Sequence, residues 1–250
     1  MFKRILPLLL ALILLLSLVA CEGQPTEPDD PKEPGSGTVT PPGNTDPTPQ
    51  VFAVNSGTIP DTEIAWEVRS DRTLHITGNG ALPDYEMPND TPWYEHTGTS
   101  GTDRSDKDGG SLLVTKVVIG EGITVLSENA FRDFRPLTTV QLSSTVQQIS
   151  FKSFAECPNL KTVTGGTGLT VIEAEAFRAC GSLEKIELSP ALSKVEDSAF
   201  GDIIPAATTR RLAVHVLGTE AAWQDALAEM DIGFDNAALE NAILTYSKTE

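Results

Sequence analysis

Cysteine, histidine and basic residues are all scarce in this chain of 250 residues. With only three cysteines, no disulfide framework stabilises the chain. The three histidines, His75, His96 and His215, share no spacing with one another or with cysteine that is typical of a metal site. Eighteen lysines and arginines against 35 aspartates and glutamates give a formal charge of −17. That balance argues against binding to nucleic acid and against adsorption to anionic lipid.

Motifs for catalysis or for a bound cofactor are also missing. The sequence has no paired catalytic carboxylates, no G-x-S-x-G nucleophile elbow and no glycine loop for phosphate. Asp103, Asp106 and Asp108 faintly resemble a calcium loop, but the twelfth position counted from Asp106 holds Val117 instead of glutamate. A solvated insertion is the favoured interpretation of that segment. We expect a protein that is not an enzyme and that binds no metal and no cofactor.

The one long hydrophobic run lies near the N-terminus, over residues 5–16, and follows two basic residues. It is too short for a transmembrane helix and predicts a secretory signal peptide over residues 1–20. The Leu-Val-Ala-Cys sequence that ends at Cys21 resembles the bacterial lipobox. This resemblance implies cleavage before Cys21 and lipid on its sulfur, so that the membrane is contacted through the lipid anchor only. The alternative is an ordinary signal peptide followed by an unrelated cysteine.

Residues 21–50 combine this cysteine with a proline-rich segment. Eight prolines are interleaved with glycine, threonine and acidic residues, and Val39 is the only large apolar side chain. Such a composition cannot bury enough surface to offset the entropy of chain ordering. We expect an extended spacer between the membrane and a globular part.

A repeat of 23 residues dominates the following sequence. Segments that begin at Val114, Leu137, Leu160 and Leu183 align without a gap, and the same eight positions in each are apolar or small. In the first segment these positions are Val114, Val117, Ile119, Ile123, Leu126, Ala130, Phe131 and Phe134. Two apolar residues at a spacing of two predict a short strand with one buried face. Equivalent strands of successive coils must then stack in parallel, about 4.8 Å apart.

The side chains at the end of each repeat predict the interior of the coil. Phenylalanines recur at 131, 154, 177 and 200, which predicts a buried ladder of aromatic rings. Cys157 and Cys180 share one coil position that other repeats fill with Phe134 and Ile203. Because that position is interior, buried free thiols are favoured over a disulfide between the two, although stacked coils bring them close enough for one.

The pattern Leu-x-x-Val-x-Leu, then Val-x-x-Ile, then Ala-Phe and Cys resembles the BspA-like leucine-rich repeats of bacterial surface proteins. Two residues differ from the pattern: Gly165 occupies the position of a strand leucine, and Ile203 occupies the position of the usual cysteine. The resemblance implies a leucine-rich-repeat solenoid, mostly β with short helical turns and a parallel strand stack. We predict three parts for the region after the linker: an N-terminal β cap with a flexible insertion (51–112), four repeats (113–205) and a C-terminal cap (206–250).

Both caps carry local signals of their own. Trp66 and Val68 alternate with polar residues, as do Leu74 and Ile76, which suggests a hairpin at the front. At the back we predict a strand with Val214 and Val216. A helix over 220–229 with Thr219 as its N-cap follows, and a last strand is expected near Ile243, Leu244 and Tyr246.

The resemblance implies a surface-tethered binding or adhesion protein that recognises a protein ligand through the repeat face. Candidate contacts on that face are the outward strand residues Val118, expected to be exposed, Gln141, Thr164 and Glu187. Phe151 is an aromatic hot spot if it is exposed, or it tucks under a neighbour. One alternative function is glycan capture for nutrient uptake, with Trp93 and Tyr94 as a stacking platform, although cap packing is favoured for these two. A structural envelope component is the other alternative.

Overall fold

The computed structural model describes three ranges of the chain: 50–97, 113–203 and 211–247. All of them belong to one compact unit, residues 47–250. The predicted signal peptide, Cys21 and the calcium-like aspartates lie outside the described residues. The boundaries drawn at residues 20, 50, 112 and 205 stay predictions.

Strands dominate the described residues, and two short α-helices accompany them. The strands are β1 (Ala53–Thr58), β2 (Ala65–Arg69), β3 (Thr73–Thr77), β4 (Gly80–Ala81), β5 (Lys116–Ile119), β6 (Ile123–Leu126), β7 (Thr139–Leu142), β8 (Gln148–Ile149), β9 (Thr162–Gly165), β10 (Val171–Ile172), β11 (Lys185–Leu188), β12 (Lys194–Val195), β13 (Ala213–Val216), β14 (Asp231–Ile232) and β15 (Ile243–Tyr246). The helices are α1 (Glu220–Glu229) and α2 (Ala237–Glu240), and two 3-10 turns lie at Pro88–Asp90 and Tyr94–His96.

These strands form two sheets. The large sheet has the order β1-β2-β3-β5-β7-β9-β11-β13-β15, antiparallel from β1 to β3 and parallel afterwards. The small sheet has the order β14-β12-β10-β8-β6-β4 and is parallel throughout. From β3 to β14, each coil therefore contributes one strand to each sheet. The repeat predicted the stacking of the first strand, but the second sheet is a feature that the sequence did not indicate.

The interior consists of the repeated apolar positions. Every one of these positions in the four repeats is buried, except Gly165. Registered pairs such as Val117 with Val140 and Val140 with Val163 place like residues directly above one another. A coil buries its apolar side chains only against the coils on either side, and so stacking supplies the core.

A ladder of stacked aromatic rings runs through this core, as the repeat predicted. The ring of Phe154 lies 5.0 Å from that of Phe131 and 5.4 Å from that of Phe177, with interplanar angles of 9° and 3°. Phe200 continues the ladder at 5.4 Å, and Trp93 of the front cap extends it beyond Phe131, also at 5.4 Å. The ladder thus joins the N-terminal cap to the repeats.

The turns that carry the ladder have an unusual backbone. In each repeat two non-glycine residues, four positions apart, adopt positive φ angles between 54° and 61°: Asn129 and Asp133, Lys152 and Glu156, Glu175 and Ala179, Ser198 and Asp202. This conformation lets backbone N–H groups donate to the next coil, as Phe131 N does to Ser153 O at 2.8 Å and Phe154 N to Ala176 O at 2.9 Å. These hydrogen bonds between coils offset the local strain of the positive φ angles. The side-chain pattern predicted neither the positive φ angles nor these hydrogen bonds.

The front cap is a three-stranded antiparallel unit that passes into the solenoid. The predicted hairpin is confirmed, because Trp66 pairs with Ile76 and Val68 with Leu74. Strand β3 then pairs in parallel with β5. The cap therefore supplies the first coil of the stack itself, which extends it beyond the four repeats seen in the sequence.

The back cap follows the predicted order of strand, helix and strand. Thr219 accepts a hydrogen bond from the backbone N–H of Ala222 and caps α1, while Trp223 of that helix is buried. Strand β13 continues the large sheet beyond β11, and β15 continues it once more. The predicted fold class, a mostly β repeat solenoid with a cap at each end, is confirmed.

Candidate binding surface

The large sheet turns one side to the core and the other to solvent. We define the outer face as the outward side chains from β2 to β13: Ala65, Glu67, Arg69, Thr73, His75, Thr77, Lys116, Val118, Thr139, Gln141, Thr162, Thr164, Lys185, Glu187, Ala213 and His215. Because the strands are in register, these residues form straight rows across the sheet. Val118 pairs with Gln141, and Gln141 pairs with Thr164.

The centre of the outer face is polar but uncharged. We define the central patch as five residues on three adjacent strands: Val118, Thr139, Gln141, Thr162 and Thr164. Gln141 is exposed and the other four are half-buried. Val118 was expected to be exposed; its half-buried position corrects this, since neighbouring strands lie within 5 Å on both sides. Hydroxyl and amide groups next to an aliphatic side chain offer both hydrogen bonds and apolar contact.

Charges on the outer face are few and nearly balanced. Its cationic residues are Arg69, Lys116 and Lys185, and its anionic residues are Glu67 and Glu187. The whole chain carries a formal charge of −17, whereas these five side chains of the outer face have a net charge of +1. Binding surfaces are depleted of charge at their centre and carry charge at their rim. The outer face has that distribution.

Glu187, one of the predicted contact residues, has a structural role in the sheet. Gly165 adopts a φ of +82° at the end of β9, and its N–H donates to Glu187 Oε2 at 2.8 Å. Lys185 Nζ donates to the other carboxylate oxygen at 3.0 Å. Burial raises the pKa of Glu187, but these two bonds outweigh it and leave the pKa below its ordinary value of 4.5. The carboxylate thus replaces a backbone acceptor where glycine interrupts the strand pairing.

Histidines lie toward both ends of the outer face. Burial, together with the Arg69 guanidinium, lowers the pKa of His75, and Arg69 Nη1 lies 3.0 Å from His75 Nε2. At the other end, His215 Nδ1 lies 3.0 Å from the hydroxyl of Thr245. His75 is therefore neutral near pH 7 and adds no charge to this face.

Phe151 lies away from the outer face, in the turn after the small sheet. It is half-buried, Lys152 Nζ lies 4.4 Å from the centre of its ring, and its backbone N–H donates to Glu173 Oε2 at 2.8 Å. Its ring is thus partly covered by the Lys152 side chain and partly exposed, and its role as a contact residue stays a prediction. Phe234 follows β14 at the equivalent position and is 70% exposed. A period of 23 did not reveal it, because α1 lengthens that coil.

The two aromatic residues proposed for sugar stacking belong to the front cap. Trp93 is fully buried, its ring is stacked on Phe131, and its indole N–H donates to Ala130 O at 3.0 Å. Tyr94 is half-buried in the second 3-10 turn. Cap packing, the favoured interpretation, describes Trp93, which presents no ring face to solvent. The predicted contact residues are thus divided among the outer face, a turn and the cap.

Cys157 and Cys180 are free, buried thiols. Each donates its S–H to a carbonyl one coil earlier, Cys157 to Phe131 O at 3.1 Å and Cys180 to Phe154 O at 3.0 Å. Burial, followed by the neighbouring Cys180, raises the pKa of Cys157 well above its ordinary value. A protonated, enclosed thiol is a poor nucleophile, so the pair serves packing.

The described residues contain neither a cluster of metal-binding side chains nor a membrane-spanning helix. None of their histidines, cysteines and carboxylates cluster in a group of three or more that would suit a metal ion. Within the same ranges, no helix has the length and apolarity needed to cross a membrane.

Comparisons with known proteins found one matching family model and several similar solved structures. The family model of the BspA type leucine rich repeat region matches residues 110–209 with six copies. A leucine-rich repeat protein of Eubacterium ventriosum is 21% identical over 67% of this chain, with a TM-score of 0.47, and this chain spans 44% of that one. A leucine rich cell surface protein of Faecalibacterium prausnitzii is 19% identical over 80% of this chain and 55% of that chain, with a TM-score of 0.34.

A T. pallidum leucine-rich repeat protein is 21% identical over 64% of this chain and 71% of that chain, with a TM-score of 0.31. No curated protein matches the sequence. The family match covers the coils from β5 to β12, which carry the central patch and the aromatic ladder. Residues 110–209 thus match a BspA-type leucine-rich repeat region, and the described part of them, 113–203, folds as a solenoid of stacked coils.

Proposed function

We propose that this protein is a cell-surface recognition or adhesion protein and that it binds a protein ligand through the outer face, with the central patch at the centre of the contact. The observation that carries the proposal is the uncharged patch on three registered strands of a chain with a formal charge of −17. A rigid sheet presents these side chains on a backbone that is already ordered, which lowers the entropy cost of binding. The BspA-type repeat region supports the same class of function.

A protein ligand suits this surface better than a glycan does. Sugar recognition commonly uses exposed aromatic rings, and the central patch has none, while Trp93 is fully buried. Threonine hydroxyls and the Gln141 amide can pair with backbone and side-chain groups of a protein, and Val118 supplies apolar contact. The patch is small, so the affinity of one copy is modest, and many copies on one surface compensate through avidity.

The test is binding of residues 47–250, a compact unit that contains the whole described core, to arrays of extracellular proteins and of polysaccharides. Two variants distinguish the faces. Gln141→Lys places a charge in the central patch, and Gln147→Lys places the same charge at an exposed position outside the outer face. We expect saturable binding to a protein, weakened at least tenfold by the first variant and unchanged by the second.

Three results would contradict the proposal. Binding to polysaccharides alone would favour glycan capture. Equal effects of the two lysines would place the contact elsewhere. Silence on both arrays would favour a structural role in the envelope.

The location at the cell surface is part of the proposal, with Cys21 as the lipid-bearing residue. Its support is the basic and apolar N-terminal sequence that ends in Leu-Val-Ala-Cys. The full-length chain, expressed in bacteria supplied with labelled fatty acid, should take up the label and lose it in Cys21→Ala. Equal labelling of both chains would refute the anchor.

A further inference from the structure

The last strand of the large sheet ends in an open edge. In β15, the N–H groups of Ile243 and Ser247 donate to Leu212 O and Val216 O on the side of β13. Because backbone groups alternate along a strand, those of Leu244 and Tyr246 point to the opposite side. Within the described ranges, no strand pairs with that side.

Side-chain exposure agrees with an uncovered end. The inward residues of the neighbouring strand β13, Val214 and Val216, are fully buried, whereas Leu244 and Tyr246 are only half-buried. On the outward side, Ile243 is 50% exposed in a row that elsewhere holds threonine, lysine and alanine. The core is thus incompletely closed at this end.

Natural sheets protect open edges with charge, proline or a bulge. Strand β1, at the other end of the large sheet, has a break of register between Ala53 and Asn55. Strand β15 has no such break and carries no charged residue and no proline. It is the unprotected edge of the two.

We propose that β15 is a self-association edge, at which a second copy of this chain pairs its own β15 in antiparallel orientation. The strand is complementary to itself in one register, with Thr245 opposite Thr245 of the second copy. Leu244 of each copy then lies opposite Tyr246 of the other copy on the inward side. These two residue pairs are hydrogen-bonded and use all four free backbone groups of each strand. A cross-strand pair of an aromatic and an aliphatic residue adds stability, and the neutral strand brings no like charges together.

This arrangement closes as a two-fold dimer, because the same edge serves both copies. The two-fold axis is perpendicular to the large sheet, so both outer faces point to the same side. Such a dimer presents two central patches side by side. The proposal does not depend on what the outer face binds.

The test measures the mass of residues 47–250 in solution by analytical ultracentrifugation, for the wild type and two matched variants. Thr245→Lys places two like charges opposite each other at the centre of the proposed pairing. Gln147→Lys places the same charge at an exposed position away from β15. We expect a dimer for the wild type and for Gln147→Lys and half that mass for Thr245→Lys, with unchanged circular dichroism in all three.

A cysteine version fixes the register. Facing residues of a non-hydrogen-bonded antiparallel pair have Cα atoms about 4.5 Å apart, which a disulfide accepts. Thr245→Cys should form a covalent dimer under mild oxidation, and Thr162→Cys should not; the native Cys157 and Cys180 are buried. A monomeric wild type, a polymer in place of a dimer, a dimer that survives Thr245→Lys, or no covalent dimer with Thr245→Cys would each overturn the proposal.

Discussion

Replacing Phe154 by alanine removes the middle ring of the aromatic ladder. The side chain is fully buried, and its ring lies between two others at 5.0 and 5.4 Å. Removal of a buried phenylalanine costs about 3–5 kcal/mol, and each stacked pair contributes about 0.5–1.5 kcal/mol to that loss. We expect Phe154→Ala to reduce the free energy of unfolding toward the upper end of this range.

Position in the ladder supplies an internal comparison. Phe200 is equally buried but has one stacked ring within the described residues, Phe177 at 5.4 Å. Phe200→Ala should therefore cost less than Phe154→Ala by the value of one pair, about 0.5–1.5 kcal/mol. Phe154→Leu retains much of the volume but loses both stacking contacts, so its cost lies below that of alanine.

Urea unfolding of residues 47–250, followed by circular dichroism and by tryptophan fluorescence, measures these differences. Coincident transitions of the two probes would show that the unit unfolds cooperatively, so that a free energy of unfolding can be derived for each variant. A double-mutant cycle between Phe154 and Phe177 isolates their stacking. A cost below about 1 kcal/mol for Phe154→Ala, or a coupling energy of zero in the cycle, would refute the ladder as a source of stability.

Three further predictions concern stability. Glu187→Ala leaves the Gly165 N–H without its acceptor and should cost about 1–2 kcal/mol in urea unfolding, whereas Glu187→Gln, which keeps an acceptor oxygen, should cost less. The folded pKa of Glu187 is below 4.5, so the stability that its carboxylate contributes is complete above about pH 5 and is lost as the pH falls through the folded pKa. Between pH 3 and pH 5, the free energy of unfolding should therefore depend less on pH in Glu187→Gln than in the wild type. An equal dependence on pH in the two proteins would contradict this. Ala179 has a φ of 59°, so Ala179→Gly should relieve backbone strain and raise the free energy of unfolding by about 0.5–1 kcal/mol. Gly122→Ala should lower the free energy of unfolding, because its Cβ would lie 2.3 Å from Gly78 O. A lower stability of Ala179→Gly would count against relief of strain.

The fold could be predicted because its cause is periodic. Residues such as Val117, Val140 and Val163 recur every 23 positions and meet directly in the stack. Thr219 likewise predicted the start of α1, because threonine is preferred at the N-cap of a helix. Local propensity and spacing determine these features, so one sequence suffices to find them.

Features that depend on tertiary contacts could not be predicted from the pattern. The bond from Gly165 N to Glu187 arises because a positive φ on one strand meets a side chain on the next, 22 positions later. Phe234 shares a coil position with Phe151, but the inserted helix removes the regular spacing. Trp93 extends the phenylalanine ladder from outside the repeats. In each case the residue's role depends on a neighbour that the period does not identify.

The candidate site is intermediate between these cases. Alternation along each strand predicted that Gln141 and Thr164 point outward, and registered pairing brings them together. The near-neutral charge of the outer face became visible only when distant strands were placed side by side. The sequence therefore located the face but not its central patch.

The central claim, that a protein ligand covers the outer face, is tested most directly by thiol protection. Gln141→Cys and Gln147→Cys each place one exposed thiol on residues 47–250, in which the native Cys157 and Cys180 are buried. The rate of maleimide labelling is measured for each, with and without the extracellular protein that binds in the array. We predict that the bound protein slows labelling at position 141 at least tenfold and leaves position 147 unchanged. Equal labelling rates at position 141 with and without the bound protein would contradict the account.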